Sequence, residues 1–295
     1  MRMNMNEFVE VVRDRLLEKM DGVTQIEIKQ VLKNNSVNLC ALLFADEKIN
    51  ITPNIYLEPF YERYEQGAEL EDIVEQITEC YQEYRVKEKI DMSFFRSWET
   101  VKSRIAYKLI NYDRNTELLG QIPHTKFLDL AKTFYVSVQE CGGSILIYNS
   151  HLEMWGVDED ELEAVANENT PDICPSCLQS MKDVVRELMG NMDDEGEEIP
   201  MGMLVLSNRN KVNGAAAILY PGNMQSIADR LQSDFYVLPS SVHETIILPA
   251  REGDNPEYLV EMVRGVNSSM VVEEEILGDN VYFYDRGLKE LQLVA

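Results

Sequence analysis

Helical and strand periodicities alternate along this chain, which predicts an α+β fold: antiparallel or mixed β-sheets with helices packed on them, arranged as two subdomains. Three observations carry the prediction. Leu70, Ile73, Val74, Ile77, Tyr81 and Tyr84 mark one face of a 3.6-residue repeat. "TQIEIKQVL" alternates Ile26 and Ile28 with Glu27 and Lys29, the period of a half-buried strand. Short turns such as Gly142-Gly143 separate successive strand-like runs, and short hairpins favour antiparallel neighbours.

Taken in order, Phe8, Val9, Val12, Leu16 and Met20 recur at helical spacing and predict a helix over residues 6–20, ended by Asp21-Gly22. A meander follows, with "NNS" as the turn before the buried strand "VNLCALLFA" and a third strand expected in "KINITPNIYL". Beyond the 70–84 helix, "SRIAYKLIN" and "TFYVSVQE" alternate as strands, and Gly142-Gly143 leads into "SILIYN". Asp158 has the position of an N-cap with Glu161 three residues on, and Val157 and Leu162 have hydrophobic-staple spacing. The acidic first turn "DEDE" is then explained by the helix dipole, without a metal. Met181, Val184, Val185, Leu188 and Met189 predict another helix, closed by Gly190.

"NMDDEGEEIP" shifts abruptly to acidic, proline-terminated composition. It predicts an N-terminal α+β region at 1–190, an acidic linker or loop at 191–200, and a C-terminal α+β region at 201–295. Within the last, "MLVLS" and "GAAAILY" read as strands flanking the loop "NRNKVN", and Met224, Ile227, Ala228 and Leu231 as a helix face. "FYVLPS" and "ETIILPA" read as strands. Pro256 after Asn255 opens a helix with Tyr258, Leu259, Met262, Val263 and Val266, and "VYFYD" closes as a strand.

With 52 acidic against 27 basic side chains among 295 residues, the formal charge is −25. Such a field repels phosphate backbones and anionic lipid surfaces, so direct nucleic-acid and membrane binding are disfavoured. It serves solubility, and beyond that suits a protein partner with a basic patch or, third, mimicry of nucleic acid. No apolar run reaches bilayer length, and the first twenty residues alternate charge with apolar residues instead of offering a signal-peptide core. The expectation is a cytoplasmic protein. Five cysteines, an odd number spread along the chain, read as reduced thiols.

Two stretches invite a chemical reading. "LPSSVHE" gathers Ser240, Ser241, His243 and Glu244 between apolar runs, the side-chain types of a hydrolase site, to which His124 or Asn149 would be added from other loops. Side chains of neighbours on an extended chain diverge, however, and the stretch has proline where a nucleophile elbow needs its first glycine. A strand, turn and second strand is therefore the expectation, with Ser240 and Ser241 bonding the turn backbone. Cys174 and Cys177 form a lone C-x-x-C, which suits a redox pair or half a zinc site. The polar "NENTPDI" upstream and the scattered Cys40, Cys80 and Cys141 favour two semi-buried residues flanking a proline helix start. The acidic loop fails a calcium-loop test, since Gly202 falls where a bidentate glutamate is needed. No glycine-rich phosphate loop occurs, so no cofactor is expected.

"NYDRNTELLGQIPHTKFLDLAKTFY", "NGAAAILYPG" and "YVLPSSVHETIILPA" together resemble the uncharacterised bacterial family known as domain of unknown function 5688, over nearly the whole chain. The resemblance implies a bacterial, cytosolic setting and lends no activity, cofactor or catalytic residue to any position. The corner around His243 belongs to its pattern; Cys174 and Cys177 do not. The leading expectation is a non-catalytic protein-binding or regulatory module with an acidic surface, and the alternative a hydrolase-like enzyme around Ser240, Ser241, His243 and Glu244.

Overall fold

The computed structural model describes residues 2–189, 202–239 and 241–294. The chain divides into two compact units, Met1–Lys33 with Val37–Phe94 and Asn34–Ser36 with Phe95–Ala295.

The first unit opens with helix α1 (Met5–Lys19), where Asn4 and Glu7 form a reciprocal capping box. The helix stops at Met20, and Gly22 supplies the positive φ of the turn that follows. Strands β1 (Val23–Leu32), β2 (Asn38–Asp46) and β3 (Ile55–Tyr56) form an antiparallel sheet in that order. The expected third strand shrinks to two residues, because Pro53 has no N–H to offer a ladder. Helices α2 (Glu58–Gln66) and α3 (Leu70–Tyr84) complete the unit. Phe8, Val12 and Leu16 of α1 pack with Ile73, Ile77 and Tyr81 of α3 and Leu42 of β2, all buried. Each such side chain contributes about 1.5–3 kcal/mol on leaving water.

Tyr81 ends that core with a polar contact. Its hydroxyl donates to Asp46 Oδ2 at 3.0 Å, and Arg85 reaches the same oxygen at 3.1 Å. Burial first, then the Asp46 carboxylate, pushes the phenol up to about 12. A folded-state value above that of the unfolded chain, about 10, means stability that is complete below pH 10 and is lost as pH rises towards 12. Tyr81→Phe is accordingly expected to flatten the fall in unfolding free energy across that window, measured by urea denaturation at a series of pH values.

The second unit holds two antiparallel sheets. After α4 (Trp98–Val101), β4 (Ile105–Asn111), α5 (Thr116–Leu119), β5 (His124–Phe127), β6 (Leu130–Val138) and β7 (Gly143–Leu146) form the smaller sheet. Strand β6 pairs β4 along one edge, while β5 and β7 divide the other edge between Leu130–Thr133 and Tyr135–Val138. Helices α6 (Asn149–Trp155) and α7 (Glu159–Ile173) follow, α7 capped by Asp158, whose carboxylate accepts from Glu161 N at 2.9 Å. Next come β8 (Ser176–Ser180), α8 (Met181–Met189), β9 (Leu204–Asn208), α9 (Asn223–Leu231), β10 (Phe235–Leu238), β11 (Thr245–Pro249), α10 (Pro256–Met270), β12 (Tyr282–Asp285) and β13 (Glu290–Leu293). The larger sheet runs β13-β12-β10-β11-β9-β8. Among the described residues, no helix is long and apolar enough to cross a membrane.

Three expectations are corrected. Units do not divide at the acidic stretch: β8 and β9, on either side of it, pair from Ser176↔Asn208 to Ser180↔Leu204 inside the second unit. Acidic, proline-terminated composition marks a solvated connection, and one between neighbouring strands has the same composition as one between domains. Residues 191–200 themselves lie outside the described residues. "GAAAILY" is not a strand but a buried 3₁₀ turn over Gly214–Leu219, whose small side chains let the backbone thread between packed segments. Cys174-Pro175 ends helix α7 and leads into β8 instead of starting a helix.

Candidate functional site

Strands β10 and β11 pair up to Leu238↔Ile246, and the corner between them holds the Ser-Ser-x-His-Glu stretch. The turn closes through Ser241 N donating to Glu244 O at 3.3 Å. Ser241 Oγ accepts from His243 N at 3.0 Å and donates to Glu244 Oε1 at 3.2 Å, the serine turn chemistry that suits this position. Three other segments then grip the corner. Ser207 Oγ donates to His243 O at 2.7 Å, Ala215 N to Val242 O at 3.2 Å, and Val242 N to Glu275 O at 2.8 Å.

The half-buried imidazole of His243 faces away from Ser241. Asn213 N donates to its Nδ1 at 3.2 Å, which leaves the proton of the neutral ring on Nε2, and that nitrogen lies 3.4 Å from Glu275 Oε1. Ser241, His243 and Glu244 are thus brought together by backbone geometry, yet the serine hydroxyl is committed to Glu244 and the turn. Ser240 lies outside the described residues. His124 sits on β5 with Nδ1 at 3.1 Å from Ile122 O, and Asn149 opens α6; among the described residues neither bonds to this corner. What the arrangement does is tie the Glu273–Glu275 turn to the corner, through the bond from Val242 N to Glu275 O.

Cys174, buried at the end of α7, has Tyr135 Oη 3.5 Å and Asn210 Nδ2 3.8 Å from its sulfur, while Tyr220 Oη donates to its carbonyl at 2.9 Å. Cys177 lies on β8, half-buried, and both thiols are free. Among the described residues, no group of three or more His, Cys, Asp or Glu side chains is gathered as metal ligands.

Helix α10 has two apolar faces where the sequence pattern suggested one. Leu259, Val260 and Val263 pack into a core with Tyr236, Leu238 and Val281. Tyr258, Met262, Val266 and Met270, each four residues apart, are instead 65%, 37%, 38% and 81% exposed, and Val272 beyond them is 58% exposed. This stripe is about 18 Å long at 1.5 Å per residue. Its surroundings are acidic, since residues 251–275 carry seven carboxylates against two arginines. At its far end, Glu273, Glu274 and Glu275 form a 3₁₀ turn. Asn34 Nδ2 donates to Glu274 O at 2.7 Å, and Asn35 Nδ2 donates to Glu273 O and Ile276 O at 2.7 and 2.8 Å. The carboxylates of this turn are therefore mounted on a fixed backbone.

Sequence reading missed Glu275, Asn213 and Asn35 as partners of the corner and of the acidic turn. No local signal marks them, because each is brought in from a segment remote in sequence. No curated protein and no solved structure matches the chain. The model of a family of unknown function, DUF5688, matches residues 5–286, which include all three segments that carried the resemblance, and the chain belongs to that family.

Proposed function

We propose that this protein works by binding a protein partner through the outer face of α10, and that the partner presents an amphipathic helix with lysine or arginine flanking an apolar seam. The observation that carries the reading is the exposed stripe Tyr258, Met262, Val266 and Met270 on a helix already anchored by its opposite side. Four large apolar side chains in helical register outside a core form the kind of contiguous patch that marks an interaction surface. Charge selects the occupant: carboxylates precede the stripe at Glu252, Asp254 and Glu257 and follow it at Glu273 to Glu275. They would speed encounter with a basic segment while the apolar stripe sets its lifetime. The non-catalytic side of the reading is supported by the Ser241 hydroxyl and the His243 ring being committed to different partners.

A designed leucine-lysine helix, titrated by calorimetry, is the test. It is expected to bind wild type, with an association rate that falls as salt rises, and to bind the double variant Tyr258→Ser, Met262→Ser at least about tenfold more weakly, a loss of about 1.4 kcal/mol. Both positions are exposed, so the fold should survive. Equal affinity for variant and wild type overturns the reading. Sedimentation of the protein alone supplies a second check, because a dimer abolished by the same substitutions would assign the face to a second copy of the chain.

A further inference from the structure

Strand β1 is an open edge ten residues long. It pairs with β2 along one side, and among the described residues no hydrogen bond reaches the N–H and C=O groups of its other side. Thr24, Gln25, Glu27, Lys29 and Gln30 are all exposed along it. The other sheet edges are short or covered. Strands β3, β5, β7, β8 and β13 have five residues or fewer. The seven-residue β4 is capped by α7, whose Thr170 Oγ1 accepts from Tyr107 N at 3.0 Å and whose Asn169 Nδ2 donates to Ile105 O at 3.2 Å. Short length and coverage are the usual ways in which an edge avoids recruiting another strand, and β1 has neither.

What β1 carries instead is one acid and one base. Glu27 and Lys29 alternate with Ile26 and Ile28, so the two charges share the face opposite the core, in which Ile26 is buried and against which Ile28 packs half-buried. Glu27 Oε1 accepts from Gln25 Nε2 at 3.1 Å, and among the described residues neither charge has an ion-pair partner. Two copies of one strand related by a two-fold axis pair antiparallel with one residue facing its own copy, because outward-directed N–H and C=O groups recur at every second residue. Centred on Glu27 or on Lys29, that pairing sets like charges face to face. Centred on Ile26 or Gln30, it sets neither charge against its opposite within the strand and shortens the overlap. Centred on Ile28, it overlaps Thr24 to Leu32, sets Glu27 opposite Lys29 of the second copy on both sides of the axis, and brings the two half-buried Ile28 side chains together.

We infer that β1 is a homodimerisation edge, at which two copies of the chain join antiparallel, Ile28 facing Ile28, and merge their three-stranded sheets into one continuous sheet β3-β2-β1-β1-β2-β3. The occupant is a second copy because the charges of this strand complement themselves. Opposite charges directly across a strand pair attract and like charges repel by comparable amounts, so the same two residues favour this register and disfavour the registers centred on either of them. The edge lies within the first unit and does not depend on the α10 surface.

The experiment is sedimentation of the full chain at about 0.15 M salt, where repulsion between two strongly acidic molecules is screened beyond about 8 Å. A dimer with a Kd of about 10–100 μM is expected, in keeping with a small interface. Glu27→Lys and Lys29→Glu, both at exposed positions where the fold should survive, are each expected to weaken it at least about tenfold, because each turns two attractions into two repulsions. Mixed in equal amounts, the two variants should form a heterodimer within a few-fold of the wild-type affinity, since every charge then meets its opposite. The double variant Glu27→Lys, Lys29→Glu should dimerise with itself for the same reason. A merely structural defect in either variant would not be repaired by mixing. The inference is overturned if the wild type stays monomeric at about 1 mM, if its dimer tolerates both single reversals, or if mixing fails to restore it. A dimer indifferent to the reversals but lost on Tyr258→Ser, Met262→Ser would overturn it in favour of the α10 face.

Discussion

Replacing Gly214 with alanine is expected to destabilise the protein by roughly 3 kcal/mol, the upper end of what overpacking a close contact costs. A Cβ built at this position falls 2.2 Å from Ser207 Oγ, 2.4 Å from His243 O and 2.7 Å from Asn208 N. The serine oxygen could rotate, but the other two are backbone atoms, one at the end of β9 and the other in the gripped corner. The carbonyl of His243 cannot retreat without giving up its bond from Ser207 or pulling on Val242, which is held from both sides by Ala215 and Glu275. Urea denaturation measures the loss, and Gly265→Ala is the control. That glycine lies exposed within α10 with open space at its Cβ, so alanine there should add roughly 0.5–1 kcal/mol through helix propensity. A small effect at Gly214 would mean that the corner yields, and with it the account of His243 as a fixed element.

The second large effect is expected at Asn115, which is fully buried. Its Oδ1 accepts from Asn35 N at 2.8 Å, while its Nδ2 donates to Asn35 Oδ1 at 3.1 Å and to Asn111 O at 2.8 Å. Asn115→Ala strands a buried backbone N–H and two acceptors at once, where each unpaired group costs about 1–3 kcal/mol. The expected loss is roughly 3 kcal/mol, again by urea denaturation. Asn35 also holds the Glu273–Glu275 turn, so hydrogen exchange at the amides of that turn should quicken in the same variant, by a larger factor than in β6. Protection that falls uniformly would instead show that the network stabilises the unit without specially fixing the acidic turn.

How far the sequence could be read follows from how local each signal is. Helices α1 and α3 were legible because an apolar face repeats over fifteen residues, long enough for the period to stand out. Strands β1 and β2 were legible by alternation and by the turn between them. Short strands were not: β5, β8 and β13 each have four or five residues and exist because a neighbour supplies hydrogen-bond partners. "GAAAILY" misled because a short apolar run carries no period, and its path was set by the space beside Gly214. In α10 the period was read correctly but merged two faces, since Tyr258, Met262 and Val266 are as apolar as their buried neighbours. At the corner, the turn was foreseeable from chain geometry, whereas the bond between the Ser241 and Glu244 side chains and the approach of Asn213 and Glu275 to the two ring nitrogens were not.

Composition and short-range periodicity were enough to establish the α+β class, the acidic field and the character of the Ser241–Glu244 turn, because each depends on residues within a few positions of one another or on simple sums. The order of strands, the division into units and the second apolar face left uncovered on α10 depend on which distant segments come to lie side by side. Those were decided by packing and backbone pairing in three dimensions, where an exposed methionine and a buried one differ only in what happens to stand opposite.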